Sequence, residues 1–169
     1  MDQLINYYKL YKNAKSCHDY ESAKVLAAKI GERCIIISLK DKINLYQTPY
    51  RSNADMNGKI DLYDNNNHTI DCKSVDAINK SSGNFSGPLI VNVDYLIFYK
   101  YININIDNNI IELPDKFYLI SKNDYINMIK QSKGIEQRPG YNIIPYYCIE
   151  NNSKKFDFCK NINLNHFLF

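Results

Sequence analysis

The sequence has no tryptophan, few glycines and no long apolar run. A membrane-spanning helix needs roughly 18 consecutive apolar residues, and since no segment of the sequence reaches that length, we expect a soluble protein. The five cysteines are odd in number, widely spaced and not clustered with histidine, which argues against a zinc site and indicates free thiols. The sequence also lacks a glycine-rich phosphate loop and the Cys/His or Ser/His pattern of a nucleophilic enzyme.

Charge and the N-terminal segment say little about partners but favour an intracellular location. The 21 basic and 18 acidic side chains leave a net charge of +3, which is too small to indicate a polyanionic partner by itself. The first residues, MDQLINYYKLYKNAK, lack the basic and apolar regions of a signal peptide. We therefore expect the protein in the cytoplasm or, in a eukaryotic or viral setting, in the nucleus or a viral factory.

Length and composition predict a single domain spanning residues 1–169. A chain of this length can bury one good core but is short for two. Asn, Ile, Lys and Tyr are abundant, with 15 Tyr, and we attribute this to a genome rich in A and T. An individual Asn therefore carries little functional information, and the triple asparagine at 65–67 is not read as a low-complexity segment.

Two helices and then strands are predicted for the first half of the chain. Apolar residues recur at helical spacing within 4–11 and again within 20–30, with Gly31 as a natural stop. The β-branched segment RCIIISLKDKINLYQT, residues 33–48, predicts a strand. KIDLYD and HTIDCKSV predict a hairpin around the asparagines, because asparagine tolerates the positive φ of a tight turn.

The second half predicts a loop, a central strand and a strand followed by a helix. NKSSGNFSGP, residues 79–88, has the composition of a loop, whereas VDYLIFYKYINI is the most strand-like run. KFYLIS predicts a strand, and SKNDYINMIKQSK predicts a helix that starts at Ser121 and ends near Gly134. YNIIPYYCIE and KKFDFCKNI predict a further hairpin. The predicted fold class is α/β or α+β, with a central mixed β-sheet flanked by helices.

The predicted hairpin places acids and a lysine on one face. Side chains alternate along a strand, so Asp71 and Lys73 point the same way, opposite Ile70 and Cys72. If the two strands pair, Asp61 lies within one cross-strand step of that face. Two carboxylates bind a hard cation such as Mg²⁺, and a neighbouring lysine can position water or neutralise charge on a phosphate. This combination suits metal-assisted hydrolysis of a phosphodiester.

Asp61, followed after nine residues by Asp71-Cys72-Lys73, resembles the D…(D/E)xK signature of the PD-(D/E)xK nuclease superfamily, which includes restriction endonucleases. The order of predicted elements over about residues 18–132 is similar to a restriction-endonuclease-like core, with 135–169 as accessory strands or as dimer or DNA contacts. Ile60 stands where the family has Pro, and Asp71 where Glu is commoner.

The resemblance implies a role for each residue of the signature. Asp61, Asp71 and the backbone carbonyl of Cys72 would bind the metal, and Lys73 would assist the nucleophile. The implied cofactor is Mg²⁺, with Mn²⁺ as a substitute. Asp55 is a second candidate for the upstream acid, whereas Asp64 is expected to be a turn residue.

Many members of the family add an acid from the preceding helix, and Glu21 is the best candidate, with Asp19 and Glu32 behind it. A solvated helix acid is an equally good interpretation of Glu21. The three histidines complete the candidates. His18 is expected not to bind metal, His68 could touch substrate, and His166 looks structural.

Basic residues in three loops are candidate nucleic-acid contacts: Arg51 and Lys59, Lys80 beside Phe85, and Arg138 with Lys133 near Tyr141. The resemblance also implies double-stranded DNA as substrate and a homodimer that cuts both strands. The leading hypothesis is a Mg²⁺-dependent DNA endonuclease, most simply a small type II restriction-like enzyme. A homing, repair or junction-resolving nuclease of a virus or mobile element would use the same residues. A non-catalytic nucleic-acid-binding or interaction module is the alternative from a different class.

Overall fold

The computed structural model describes residues 1–48, 60–75 and 84–167. The helices of this part are α1 (Asp2–Ser16), α2 (Tyr20–Leu39), α3 (Lys122–Gln131), α4 (Tyr146–Asn152) and a 3-10 turn at Asn165–Phe167. The strands are β1 (Leu45–Gln47), β2 (Leu62–Asp64), β3 (Thr69–Ser74), β4 (Asn84–Pro88), β5 (Tyr95–Tyr99), β6 (Asn103–Asn105), β7 (Ile110–Glu112), β8 (Lys116–Ser121), β9 (Glu136–Arg138), β10 (Tyr141–Pro145), β11 (Lys154–Asp157) and β12 (Ile162–Asn163). The predicted mixture of helices and strands is confirmed.

The main sheet is mixed. Among the described residues it has six strands in the order β1-β2-β3-β5-β8-β11. β3 and β5 are parallel, with Asp71 opposite Leu96, and the other neighbours are antiparallel. β4-β10-β9 and β12-β7-β6 form two smaller sheets. β5 lies inside the main sheet, as its apolar sequence predicts, because both of its faces are covered.

The main sheet separates two hydrophobic clusters. Ile70 and Ile97 belong to the cluster that includes the apolar faces of α1 and α2. Leu96 and Phe98 belong to the other cluster, which is formed with β4, α3 and α4. Because side chains alternate along β3, Asp71 lies on the second face, next to Leu96. The prediction that Asp71 and Lys73 point away from Ile70 and Cys72 therefore agrees with the packing.

The prediction for residues 31–48 is wrong. α2 continues through Gly31 to Leu39, and within this segment the strand is limited to Leu45–Gln47. The β-branched run at 35–37 favoured a strand, but the helix penalty of such residues is only a few tenths of a kcal/mol each. Burial decides the outcome, because the helix places Ile30, Cys34 and Ile35 in the core with no exposed surface.

Glycine is needed at position 31 because there is no room for a side chain at this point of α2. A Cβ at this position would lie 2.5 Å from the Tyr99 hydroxyl oxygen. We expect Gly31→Ala to destabilise the protein by about 1 to 3 kcal/mol, since overpacking of a rigid core outweighs the better helix propensity of alanine. Urea denaturation of both variants should show a smaller cost for the same change in a Tyr99→Phe background. An equal cost in both backgrounds would contradict this packing.

Several local predictions are confirmed. The hairpin turn uses Asn67 at a φ of 62°, in the left-handed region that asparagine tolerates. Asp64 is a turn residue, since its carboxylate accepts hydrogen bonds from the backbone N–H groups of Asn66 and His68. Ser121 caps α3 by accepting a hydrogen bond from the Asp124 N–H. These features depend on short-range chemistry.

Two long-range predictions are wrong. Residues 84–88 form β4 instead of part of a loop, and Gly87 is needed there because the side chains of Tyr125 and Ile144 occupy the space of a Cβ. β10 and β11 do not pair with each other, because β10 lies between β4 and β9 whereas β11 pairs with β8. Residues 146–152 between them form α4. No described helix is both long enough and apolar enough to cross a membrane.

Candidate functional site

The hairpin holds Asp61 against the backbone of β3. Leu62 pairs with Ile70, and the Asp61 N–H donates to the Ile70 carbonyl oxygen over 2.9 Å. One step further along β3, the Cys72 N–H donates to the Asp61 carboxylate oxygen Oδ2 over 2.7 Å. Just before β2 begins, the Asp61 side chain thus takes the position of a partner strand's carbonyl. Asp61 is thereby fixed to the same short segment that carries Asp71 and Lys73.

Asp71 and Lys73 form an ion pair beside Asp61. The Lys73 Nζ atom lies 2.9 Å from the Asp71 carboxylate. Asp71 is mostly buried, with 14% of its side chain exposed, whereas Lys73 is 36% exposed and lies nearer to solvent. The Asp61 and Asp71 carboxyl groups are also close enough to share a hydrogen bond. The structure therefore brings Asp61, Asp71 and Lys73 together.

Burial and charge act against each other at Asp71. Desolvation raises the pKa of Asp71 to about 6, the ion pair with Lys73 opposes the rise, and the neighbouring Asp61 adds to it. Two carboxyl groups in contact repel each other when both are ionised, and a shared proton or a bound cation relieves that repulsion. The pair has the electrostatic character of a cation site.

A third acid, Glu32 of α2, is buried near Asp61. Glu32 is 2% exposed; its Oε2 atom lies 2.8 Å from the Lys29 ammonium and accepts a hydrogen bond of 2.7 Å from the Gln47 amide. The pKa of Glu32 is raised to about 8, mainly by desolvation and also by the charge of Asp61, while Lys29 opposes the rise. Burial also raises the pKa of the Cys72 thiol, with added contributions from Asp61 and Glu32. Cys72 therefore lies among the acids.

Glu21, the favoured helix acid, is not brought to this cluster. It is exposed in the first turn of α2, eleven positions before Glu32, which corresponds to about 16 Å along a helix axis. Asp19 caps the same helix by accepting a hydrogen bond of 3.1 Å from the Ser22 N–H. The helix acid at the cluster is Glu32, which the predicted stop at Gly31 had placed outside the helix.

Lys29 and Gln47 were not predicted, although one signal pointed to them. Glu32 is the single acid in the largely apolar segment KIGERCIII, and a buried acid needs partners. Lys29 lies one helical turn earlier and donates to Glu32. Gln47 of β1 also donates to the Lys29 carbonyl oxygen over 2.9 Å, so it connects the strand to the helix at this point.

The other candidates lie apart from the cluster or outside the described residues. Asp55, Arg51, Lys59 and Lys80 fall outside the described residues. Arg138 is exposed on β9 and forms an ion pair of 2.9 Å with Glu136. The histidines are elsewhere: His68 pairs with Asp64 over 2.9 Å, His18 contacts Tyr20 between α1 and α2, and His166 is in the 3-10 turn.

The available donors suit Mg²⁺, which does not need a cage made entirely of protein ligands. Across residues 1–48, 60–75 and 84–167, no group of three or more His, Cys, Asp or Glu side chains is arranged to hold a metal ion. Asp61 and Asp71 supply two carboxylates. Because N–H and C=O of a strand residue point to the same side, the Cys72 carbonyl is directed to the edge where its N–H meets Asp61. Mg²⁺ is commonly held by one or two carboxylates and keeps several waters, so these residues fit it.

Neither of two comparisons with known proteins identifies a family for this chain. No protein-family model matches the chain, and a search of curated proteins finds no match. The activity therefore has to be inferred from the chemistry of Asp61, Asp71 and Lys73.

Proposed function

We propose that this protein is a Mg²⁺-dependent DNA endonuclease that hydrolyses phosphodiester bonds, most simply a small restriction-type enzyme with a restriction-endonuclease-like core. The observation that carries the proposal is that the N–H of Cys72, which stands between Asp71 and Lys73 in β3, holds the Asp61 carboxylate at 2.7 Å, while Asp71 and Lys73 are paired at 2.9 Å. The order of elements supports it, since a helix precedes the hairpin and a strand followed by a helix comes after β5. This is the order of elements that the resemblance to the PD-(D/E)xK signature implies.

The proposed roles follow from position. Asp61, Asp71 and the Cys72 carbonyl would hold Mg²⁺, and Mn²⁺ would substitute. When bound, the ion would supply positive charge to a phosphate oxygen and lower the pKa of a bound water. Asp61 is kept in place by the Cys72 N–H, so its orientation is set before any ligand arrives. Such preorganisation avoids a reorganisation cost during the reaction.

Lys73 is placed to act on the phosphate and the attacking water. Its ammonium group has three donors, of which the Asp71 carboxylate accepts one. Lys73 is the more exposed member of the pair, so an incoming phosphate group could reach its remaining donors. There Lys73 would orient water and stabilise the charge that develops on phosphorus.

Glu32 supports the site through its charge instead of by contact with substrate. It is 2% exposed, and Lys29 and Gln47 hold its carboxylate. In its ionised form it adds negative potential around Asp61, which favours a bound cation. Glu32 would therefore act on the site through the charge it places near Asp61.

The proposed activity is tested with supercoiled plasmid DNA. The purified protein is incubated with Mg²⁺, with Mn²⁺ or with EDTA, and nicked and linear products are measured over time. We expect conversion with either metal and none with EDTA. Discrete fragments would indicate restriction or homing, and nicking that depends on branched structure would indicate repair or junction resolution. Absence of cleavage of DNA with both metals would overturn the proposal.

We expect Lys73→Met to slow plasmid cleavage by about a hundredfold, because the variant loses the group that orients water and stabilises developing charge. Metal binding, followed by calorimetry, should be retained because both carboxylates remain. Lys155→Met is the matched control, since Lys155 forms an exposed ion pair of 3.2 Å with Glu150 on the far edge of the sheet. Equal loss in both variants would contradict the role of Lys73.

A further inference from the structure

Two exposed tyrosines lie on the face of the main sheet that carries Asp71 and Lys73. Tyr46 of β1 pairs with Tyr63 of β2, and Tyr63 pairs with Thr69 of β3. Residues opposite each other in paired strands share a face, and so do residues two apart along one strand. Because Asp71 is two positions after Thr69 in β3, Tyr46 and Tyr63 project to the same side as Asp71.

Burial agrees with this assignment of faces. Leu45 and Leu62, the chain neighbours of the two tyrosines, belong to the hydrophobic cluster under α1 and α2, on the opposite face. The cluster on the Asp71 face is built around β5 and β8, and none of its described members comes from β1 or β2. Tyr46 is 46% exposed and Tyr63 is 37% exposed. Both rings are therefore accessible to a ligand on the Asp71 face.

The two rings form one flat surface beside the proposed cleavage site, which we call the tyrosine platform (Tyr46 and Tyr63). Their centres are 5.3 Å apart and their planes differ by 21°, and the Tyr46 hydroxyl donates to the Asn65 side-chain oxygen over 2.8 Å. Asp71 is the diagonal cross-strand neighbour of Tyr63, a separation of about 7 to 8 Å that an aromatic side chain can span. Lys73 lies on the other side of Asp71 along β3. The platform, the carboxylate and the ammonium group thus follow one another along the sheet.

We propose that the tyrosine platform binds the nucleotide next to the phosphate that is cut, which rests on the proposed nuclease function and names a substrate contact of the same site. With a phosphate at Asp71 and Lys73, the neighbouring nucleotide lies over the platform. Sugars and bases both offer apolar surface against which an aromatic ring packs, and base stacking of this kind is a major source of affinity. The platform contacts the nucleotide without charge, whereas Lys73 contacts the phosphate. Tyr46 and Tyr63 are therefore substrate-binding residues.

Steady-state cleavage of plasmid DNA in Mg²⁺ separates this binding role from the chemistry. We expect Tyr46→Leu and Tyr63→Leu each to raise KM about tenfold and to leave kcat nearly unchanged, because neither ring touches the reacting atoms. Tyr46→Phe keeps the ring and loses only the contact with Asn65, so it should retain the wild-type KM. Tyr20→Leu is the matched control, since Tyr20 is 62% exposed on α2, which packs against the opposite face of the sheet.

Fluorescence anisotropy in EDTA measures binding without cleavage, with a labelled DNA duplex and with a labelled single strand of the same sequence. We expect Tyr46→Leu to bind more weakly without a change in the slope of log K against log salt, because no phosphate contact is lost. An equal loss on both DNAs identifies packing against a sugar. A loss confined to the single strand identifies stacking on an unpaired base. Either result supports the platform.

Thermal melts distinguish a substrate contact from a pair that only stabilises the hairpin. Lower melting temperatures of both leucine variants, with wild-type KM and affinity, would overturn the platform, and so would an equal loss in Tyr20→Leu. DNA binding that both leucine variants weaken, without cleavage in Mg²⁺, would overturn the nuclease function alone. Cleavage with unchanged KM in both variants would overturn the platform alone, and a wild type that neither binds nor cleaves DNA would overturn both.

Discussion

Asp71→Asn is expected to reduce Mg²⁺-dependent cleavage of plasmid DNA by about a thousandfold or more, because it removes a central charge of the proposed site. Asparagine has nearly the same shape as aspartate, so the strand and its neighbours stay in place. The variant lacks one of the two carboxylates that would hold the cation, and Lys73 loses its partner at 2.9 Å. Both effects would slow the hydrolysis of the phosphodiester bond.

The control for this prediction is Asp157→Asn. Asp157 is the exposed last residue of β11, at the far edge of the same sheet. We expect this variant to cleave DNA at the wild-type rate. Titration calorimetry with Mg²⁺ should show binding to the wild type and to Asp157→Asn but greatly weakened binding to Asp71→Asn. Wild-type cleavage by Asp71→Asn would locate the activity elsewhere.

Glu32→Gln is expected to remove most of the pH dependence of stability of the metal-free protein. Burial raises the pKa of Glu32 from its ordinary value of 4.5 to about 8, so the folded protein holds a proton that the unfolded chain releases. The contribution of Glu32 to the free energy of unfolding is therefore fully present below pH 4.5 and is lost as the pH rises to about 8. A shift of this size corresponds to roughly 5 kcal/mol across that range. Glutamine resembles the protonated acid but does not titrate, so it makes no such pH-dependent contribution to stability.

Urea denaturation in EDTA between pH 5 and pH 8 measures this effect. The wild type should lose stability over the interval, with a smaller part of the loss due to Asp71, whose pKa is raised to about 6. The free energy of unfolding of Glu32→Gln should change less with pH and should be higher than that of the wild type at pH 8. Glu21→Gln is the control on the same helix, since Glu21 is exposed, and it should follow the wild-type curve. Identical slopes for Glu32→Gln and the wild type would refute the burial of an ionisable Glu32.

The arrangement of Asp61, Asp71 and Lys73 could be predicted because it depends on local rules. The alternation of a strand puts Asp71 and Lys73 on one face. The asparagine turn, with Asn67 at positive φ, sends the chain back along itself. Neither rule needs knowledge of the rest of the fold.

Glu32 could not be ranked above Glu21 from local patterns, because its position depends on where α2 ends. A glycine followed by β-branched residues ordinarily indicates a helix stop and a strand. In this protein the space at Gly31 is occupied by the Tyr99 hydroxyl of a strand far along the chain. β4 was missed for a similar reason, since Gly87 is required by the side chains of Tyr125 and Ile144.

The most direct test of the proposed site is anomalous diffraction from a crystal of the protein grown with Mn²⁺. We predict an anomalous peak between the carboxylates of Asp61 and Asp71, within coordination distance of the Cys72 carbonyl. The Asp71→Asn crystal should lack this peak. A wild-type crystal at saturating Mn²⁺ with no peak there, and with the ion pair between Asp71 and Lys73 unchanged, would contradict the proposal that this hairpin forms a metal-dependent nuclease site.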